Sequence, residues 1–274
     1  MINYISKKID ALPPLPKTVM ELQEFKRKDV QEISELLKIL EKDPLIMATL
    51  LKVANSAMFG FRHKVETTKK AVELIGINFT LSIAFGSAVK STLNTTLDAY
   101  GLSSDQFLDL ANMSSNILNK WVGAWDYKLK EELLLPVFLQ ETGQFVLSDL
   151  AREYKITGSF YDAIKKDFTK IPEIEKQLFT MTSTEVTGSI FEQWKLKDEL
   201  ISVILAVNDL SKCDPKFIKH AQVLSVIKIL CNPIEPLSSK AIDKAIEMAK
   251  NFKLDTKSLE KAIEIMEDRL LDVE

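Results

Sequence analysis

Histidine and cysteine are scarce in this chain. Among 274 residues there are two histidines, His63 and His220, and two cysteines, Cys213 and Cys231. A hydrolase that makes its nucleophile on a metal ion needs several imidazoles and carboxylates around that ion, and this chain cannot supply the imidazoles. We therefore expect no catalytic residues, no metal and no cofactor. The histidines are expected in surface or packing roles and the cysteines as free thiols.

Other signals are also absent. The chain has no Gly-x-Ser-x-Gly elbow and no glycine-rich phosphate loop, which argues against a serine hydrolase and a P-loop protein. The net charge of -3 comes without a clustered basic face, so nucleic acid is not an expected partner. No apolar run approaches the roughly 18 residues of a membrane span, and no leader pattern opens the chain. We expect a cytoplasmic protein without a membrane partner.

What is present predicts helices throughout. Hydrophobic residues make up 46% of the chain, and only 8 residues are Gly. Apolar side chains recur at i, i+3, i+4 and i+7, and no segment alternates as a strand does, so the fold class is all-α. Asp43-Pro44 predicts a helix start, and Ser103 and Thr182 open capping boxes. Beyond four short helices within residues 17–76, the expected helices are 78–93, 103–121, 131–154, 182–194, 198–208, 215–231, 238–251 and 256–271.

Three blocks of sequence carry a family resemblance. The first contains Leu-Pro-Pro-Leu-Pro at 12–16, Asp-Pro at 43–44, Leu-Leu-Lys-Val-Ala-Asn-Ser at 50–56 and Ala-Val-Glu-Leu-Ile-Gly at 71–76. The second runs from Phe138 to Leu147, and the third from Thr182 to Trp194. Together they resemble the bacterial HDOD family, the regulatory relatives of HD-domain phosphohydrolases that lack the catalytic residues. The resemblance implies a multi-helical HD-domain-like bundle over residues 1–211, with 212–274 as an accessory helical extension packed on it.

The resemblance also marks a degenerate pocket. It places Gln140 and Ser183 where hydrolytic HD proteins carry histidines, Glu141 where they carry the adjacent aspartate, and Val207-Asn208 where a pair of histidines often closes the family's pattern. The candidate pocket residues are Gln140, Glu141, Ser183, Asn208 and the neighbouring Asp209. A histidine expected near residues 110–112 is missing too. Gln140 and Glu141 either line a pocket or hydrogen-bond within the core, and a buried Glu141 requires a partner. With Glu185 and Asp209, Glu141 could at most form a weak oxygen-only Mg²⁺ or Ca²⁺ site.

A loop is the second candidate region. Asn55 and Ser56 are expected to satisfy backbone groups at the turn before it. The candidate interface residues within the loop combine aromatic and cationic side chains, namely Phe59, Phe61, Arg62 and His63. A partner protein could dock on such a surface, although scattered exposed aromatic side chains are common.

Three functions are compatible with these observations. The first is a non-catalytic bacterial signal-transduction protein that contacts signalling or regulatory proteins, with a small, nucleotide-like ligand in the degenerate pocket. The resemblance implies links to motility or stress responses. The second is a divergent metal-dependent phosphohydrolase that uses Glu141 and Asp209 on a nucleotide. The third is a nucleotide sensor without turnover.

Overall fold

Helices form nearly all of the regular structure. The chain is seen in a computed structural model that describes residues 2–93 and 95–271. Neither range contains a β-strand, and one isolated antiparallel bridge joins Leu97 to Leu102. The all-α prediction is confirmed.

The N-terminal part contains five helices. They are α1 Ile2–Asp10, α2 Lys17–Lys26, α3 Ile33–Leu40, α4 Pro44–Ala54 and α5 Thr68–Ile75. The four helices after α1 are the four predicted between residues 17 and 76, whereas α1 was not predicted. Asp43 caps α4 as expected, since its side chain accepts from the N–H groups of Leu45 and Ile46 at 3.0 and 3.2 Å.

The central part contains eight helices. They are α6 Ile77–Leu93, α7 Ser104–Trp121, α8 Tyr127–Leu139, α9 Gly143–Glu153, α10 Thr157–Lys166, α11 Ile171–Phe179, α12 Ser183–Gln193 and α13 Asp198–Leu205. Both predicted capping boxes are present, at Ser103 and Thr182. The helices α10 and α11 were not predicted, and α13 ends three residues before the predicted Asn208. The core runs through α6, which is buried continuously from Phe79 to Val89, and through α8, buried from Leu133 to Leu139.

The predicted single helix over 131–154 is wrong, because α8 and α9 are separate. The chain turns at residues 140–142, where the Thr142 hydroxyl donates to the Leu139 carbonyl at 2.7 Å and the Gly143 N–H donates to the Thr187 hydroxyl at 2.8 Å. A Cβ at position 143 would lie 2.1 Å from the Ser183 carbonyl oxygen. Glycine therefore lets the start of α9 pack directly on the backbone of α12.

The C-terminal part contains α14 Ile218–Leu230, α15 Ser239–Asn251 and α16 Thr256–Leu271. The last two match the prediction to within a residue, while α14 is preceded by a 3-10 turn at Pro215–Phe217. These helices share one hydrophobic core with the rest of the chain. The Trp121 indole N–H donates to the Asp255 carbonyl at 2.7 Å, and the Arg269 guanidinium donates to the Met58 carbonyl. The division at residues 211 and 212 stays a prediction.

Within the two described ranges, no single helix has both the length and the apolar character needed to cross a membrane. The helices α5 and α6 reach the length and apolar composition of a membrane span only when they are taken together, and the chain bends by 119° between them.

Candidate functional site

The break between α8 and α9 brings Gln140 and Glu141 next to the start of α12. Gln140 is 2% exposed, its Oε1 is buried with no hydrogen-bond partner among the described residues, and its carbonyl accepts from the Thr187 hydroxyl at 3.0 Å. Glu141 reaches the neighbouring Ser183, whose hydroxyl lies 3.5 Å from Glu141 Oε2. Three of the five predicted pocket residues therefore meet here.

Glu141 has the partner that burial requires, and that partner comes from α14. The Lys228 ammonium forms an ion pair with Glu141 Oε1, and the two side chains are 12% and 22% exposed. Gln144 Nε2 donates to Glu141 Oε2 at 2.8 Å. A carboxylate held by one charge-assisted bond and two polar contacts at this depth is well compensated. No sequence pattern pointed to Lys228, which lies 87 residues away along the chain.

A second, deeper carboxylate stands behind Ser183. Glu175 on α11 is fully buried, and accepts from the Ser183 N–H at 2.7 Å and from the Tyr100 hydroxyl at 2.8 Å. Burial raises the pKa of Glu175 to about 7, against the opposing influence of the Lys228 charge and the two donors. Sequence reasoning missed Glu175, although it sits in an apolar stripe four residues from both Ile171 and Phe179. A carboxylate at such a position is the signal that could have found it.

The other two predicted pocket residues are peripheral. Asn208 is exposed and donates to the Thr184 hydroxyl at 2.7 Å. Asp209 accepts from the N–H and the hydroxyl of Ser211 at 3.2 and 2.6 Å, so it caps the short turn that follows it. Asn208 lines the cavity beside Glu141, whereas Asp209 does not.

That cavity has a volume of about 210 Å³. Its walls combine Glu141 and Asn208 with Lys228 of α14 and Lys244 and Met248 of α15. Pockets that enclose drug-sized ligands measure about 300 to 1,000 Å³, so a ligand as large as a nucleotide would extend outside this one. Of the five predicted pocket residues, Glu141 and Asn208 line this cavity, and the C-terminal helices form one of its walls.

The residues at this site do not fit a hydrolytic metal centre. Among the residues that the structure describes, no group of three or more His, Cys, Asp or Glu side chains is arranged to hold a metal ion. The carboxylate at 141 already carries an ammonium partner, and that charge would repel a divalent cation placed beside it. Glu185, the other acid of the predicted oxygen-only site, is bound to Lys176 at 2.6 Å. No metal-dependent step is assigned to these residues.

The stretch of α7 in which the resemblance expects a histidine, residues 110–112, contributes Asn112 to an amide network. Asn112 is 1% exposed, and its Nδ2 donates to the Ser56 hydroxyl at 3.1 Å. Asn116 Nδ2 donates to Asn112 Oδ1 at 3.2 Å. A neutral side chain here links α7 to the end of α4 by hydrogen bonds that need no metal.

A comparison with protein families gives a match that covers most of the chain. The family model described as the HDOD domain matches residues 12–210. The chain belongs to the HDOD family. Lys228 lies outside the matching segment, so the central carboxylate of the HDOD domain is neutralised by a residue from beyond it.

Solved structures share the fold of this HDOD protein. A candidate phosphohydrolase from Shewanella amazonensis SB2B superimposes with a TM-score of 0.71 at 20% identity, covering 97% of this chain and 94% of the other. A candidate signal transduction protein from Marinobacter aquaeolei VT8 gives 0.67 at 18% identity, covering 95% of this chain and 58% of the other. An uncharacterized protein of Treponema pallidum is 31% identical over 93 residues, which span 32% of this chain and 18% of that protein.

The candidate interface loop of the HDOD domain has a fixed base and an exposed tip. Asn55 accepts from the Val65 N–H at 2.7 Å and donates to the Val65 carbonyl at 2.8 Å, which closes the loop. Phe59 packs on Phe79 and stacks on Phe61, both with ring centroids 5.4 Å apart, so the two loop aromatics are half-buried.

The exposed part of this loop is Arg62, His63 and Lys64, and Arg62 and Lys64 make it cationic. The prediction that Asn55 satisfies backbone groups at the turn is confirmed. The Ser56 hydroxyl instead accepts a hydrogen bond from the side-chain amide of Asn112 on α7. An interface on the loop stays a prediction.

Proposed function

We propose that this HDOD protein is a non-catalytic, cytoplasmic signal-transduction protein that acts through contacts with partner proteins. The observation that carries the proposal is the ion pair between Glu141 and Lys228. In this site the charge that a hydrolase would use to hold a metal is neutralised from within the chain. The carboxylate then serves packing between α9, α12 and α14 rather than chemistry. The family membership supports the same conclusion, as does the fold shared with a candidate signal transduction protein.

The proposal assigns recognition to the cationic tip of the loop at residues 62–64. Its side chains are exposed while the base of the loop is held by the Asn55 and Val65 hydrogen bonds. A rigid base presents the charges at a fixed position, which lowers the entropy that a partner must overcome on binding. An acidic surface on a signalling protein complements this tip.

The experiment that tests recognition compares two variants that each remove one exposed cation. Affinity capture from the native cell is carried out with the wild-type protein, with Arg62→Ala and with the control Lys257→Ala on α16. We expect Arg62→Ala to lose a partner that wild type and Lys257→Ala retain. If Arg62→Ala retains every partner, the loop is not the recognition surface.

The non-catalytic part is tested by turnover. Wild type and Glu141→Gln are incubated with bis(p-nitrophenyl) phosphate and with mononucleotides, in the presence of Mg²⁺ or Mn²⁺. We expect no hydrolysis by wild type above the level of the variant. Metal-dependent hydrolysis that Glu141→Gln abolishes would refute the proposal and establish the phosphohydrolase alternative.

A further inference from the structure

A groove elsewhere on the described structure shares no lining residue with the cavity beside Glu141. Its volume is about 470 Å³, within the range of about 300 to 1,000 Å³ that is usual for small-molecule sites. Its apolar lining comes from α6, α8, the connection before α13, α13 itself and the turn before α14, and consists of Phe85, Leu135, Pro136, Leu196, Leu200, Val203 and Phe217. Two of these helices end shortly before predicted pocket residues. Helix α8 ends at Leu139, next to Gln140, and α13 ends at Leu205, three residues before Asn208.

Four cations gather along this groove from two places in the chain. Lys26 and Arg27 lie at the end of α2, and Lys195 and Lys197 lie in the connection between α12 and α13. No carboxylate of the described residues lies within 4.0 Å of any of the four. Such a cluster stands out in a chain whose net charge is -3.

The carboxylates of the groove balance these cations only in part, since Glu131 acts on Lys26 but is not within ion-pair distance of it. Glu131 is bound by Lys130 and Asn78, and Glu132 is bound by His220 at 2.9 Å and Lys128 at 3.7 Å. Of the acids that line the groove in the described structure, this leaves Glu199 without a cation partner. The groove therefore carries an excess of positive charge that an anion would neutralise.

Lys26 shows the cost of this arrangement most clearly. Its pKa is lowered by burial and by the nearby charge of Lys197, against the opposing influence of Glu131. Because the pKa stays lowered despite Glu131, a further negative group beside the two cations would stabilise the ammonium. Arg27 offers the planar donor pair that binds a carboxylate with two parallel hydrogen bonds.

We propose that this groove binds a free, single-chain fatty acid, with the carboxylate among Lys26, Arg27 and Lys197 and the alkyl chain along the apolar lining. An alkyl chain needs no hydrogen-bond partner, and the apolar side chains above offer none. A peptide backbone laid along this apolar part of the groove would bring N–H and C=O groups that lose water there without compensation, although the polar side chains of Gln23 and Asn78 also line the groove. The chemistry of the lining thus favours the fatty acid over an acidic peptide.

Calorimetric titration with monomeric decanoate at 0.15 M salt tests the proposal, because this ionic strength screens weak surface binding. The variant Arg27→Gln/Lys197→Gln removes two cations of the groove. The control Lys17→Gln/Lys261→Gln removes two exposed lysines elsewhere and changes the net charge equally. Circular dichroism confirms that both variants are folded.

We expect wild type to bind one decanoate, the groove variant to bind at least tenfold more weakly, and the control to stay within twofold of wild type. Neutral 1-decanol should bind at least tenfold more weakly than decanoate. Affinity should rise roughly two- to fourfold for each methylene added from hexanoate to decanoate.

Several outcomes would overturn the inference. They are no binding of decanoate by wild type, equal binding by the groove variant, and equal binding of 1-decanol. Tighter binding of triglutamate than of decanoate would assign the cations to an acidic peptide. Sedimentation with phosphatidylglycerol vesicles in the absence of decanoate binding would assign them to a membrane surface.

Discussion

Lys228→Met should destabilise the fold through a carboxylate more than eighty residues away. Methionine keeps the length and packing of the side chain on α14 but leaves Glu141 without its cation. Removing one partner of a fully buried pair costs about 3–5 kcal/mol. Here the side chains are 12% and 22% exposed, and Gln144 still donates to Glu141, so we expect about 2–3 kcal/mol. In a chain of this size that corresponds to a fall in Tm of roughly 4–12 °C.

Urea unfolding of a double-mutant cycle isolates this interaction. The cycle comprises wild type, Lys228→Met, Glu141→Gln and the double variant, and we expect a coupling free energy of at least about 1 kcal/mol. A control on the same helix is Lys219→Met, whose ion pair with Asp126 is exposed and should be worth about 0–1 kcal/mol. Coupling smaller than the additivity error of about 0.3–0.5 kcal/mol would show that the Lys228 pair does not hold α14 in place.

Three further predictions concern the surroundings of the site. The pKa of Glu175 is raised from 4.5 to about 7, so the proton that stabilises the folded state is present below pH 4.5 and is lost as the pH rises to 7. Across that window the free energy of unfolding of wild type should fall by up to about 3 kcal/mol relative to that of Glu175→Gln. Parallel curves of unfolding free energy against pH for the two proteins would contradict this. Gly143→Ala should lower the free energy of unfolding by about 2 kcal/mol or more, because the added Cβ would collide with the backbone of α12. Gly158→Ala, where an added Cβ has no atom within 4 Å, should be neutral or stabilising by up to about 1 kcal/mol in the same urea assay. Asn55→Ala should cost about 1–3 kcal/mol and speed hydrogen exchange at the Val65 amide, and unchanged exchange there would count against an anchored loop.

Local signals predicted most of the helices, because helix caps and apolar stripes depend on residues that are close together in the sequence. Asp43, Ser103 and Thr182 each begin a helix or its capping box where the sequence placed them. The break at residues 140–142 escaped this reasoning. The apolar pattern continues through it, and the reason for the turn is the close approach of α12 at Gly143, which is a tertiary contact.

The candidate site was predictable in part for the same reason. The family pattern located Gln140, Glu141 and Ser183, which the structure brings together. It could not supply Lys228, because no periodicity links a lysine on α14 to a turn 87 residues earlier. The prediction that Asp209 lies in the pocket did not come from the family pattern, and that side chain bonds to Ser211 in its own turn.

The contact between Glu141 and Lys228 has a consequence for how members of this lineage can exchange parts. A chimaera that joins residues 1–211 of this chain to the C-terminal helices of a relative would inherit helices of suitable length. Unless that relative also places a cation opposite position 141, the chimaera would bury the Glu141 carboxylate without a partner where the two segments meet. The two segments are therefore expected to diverge in step, with acid and base changing as a pair.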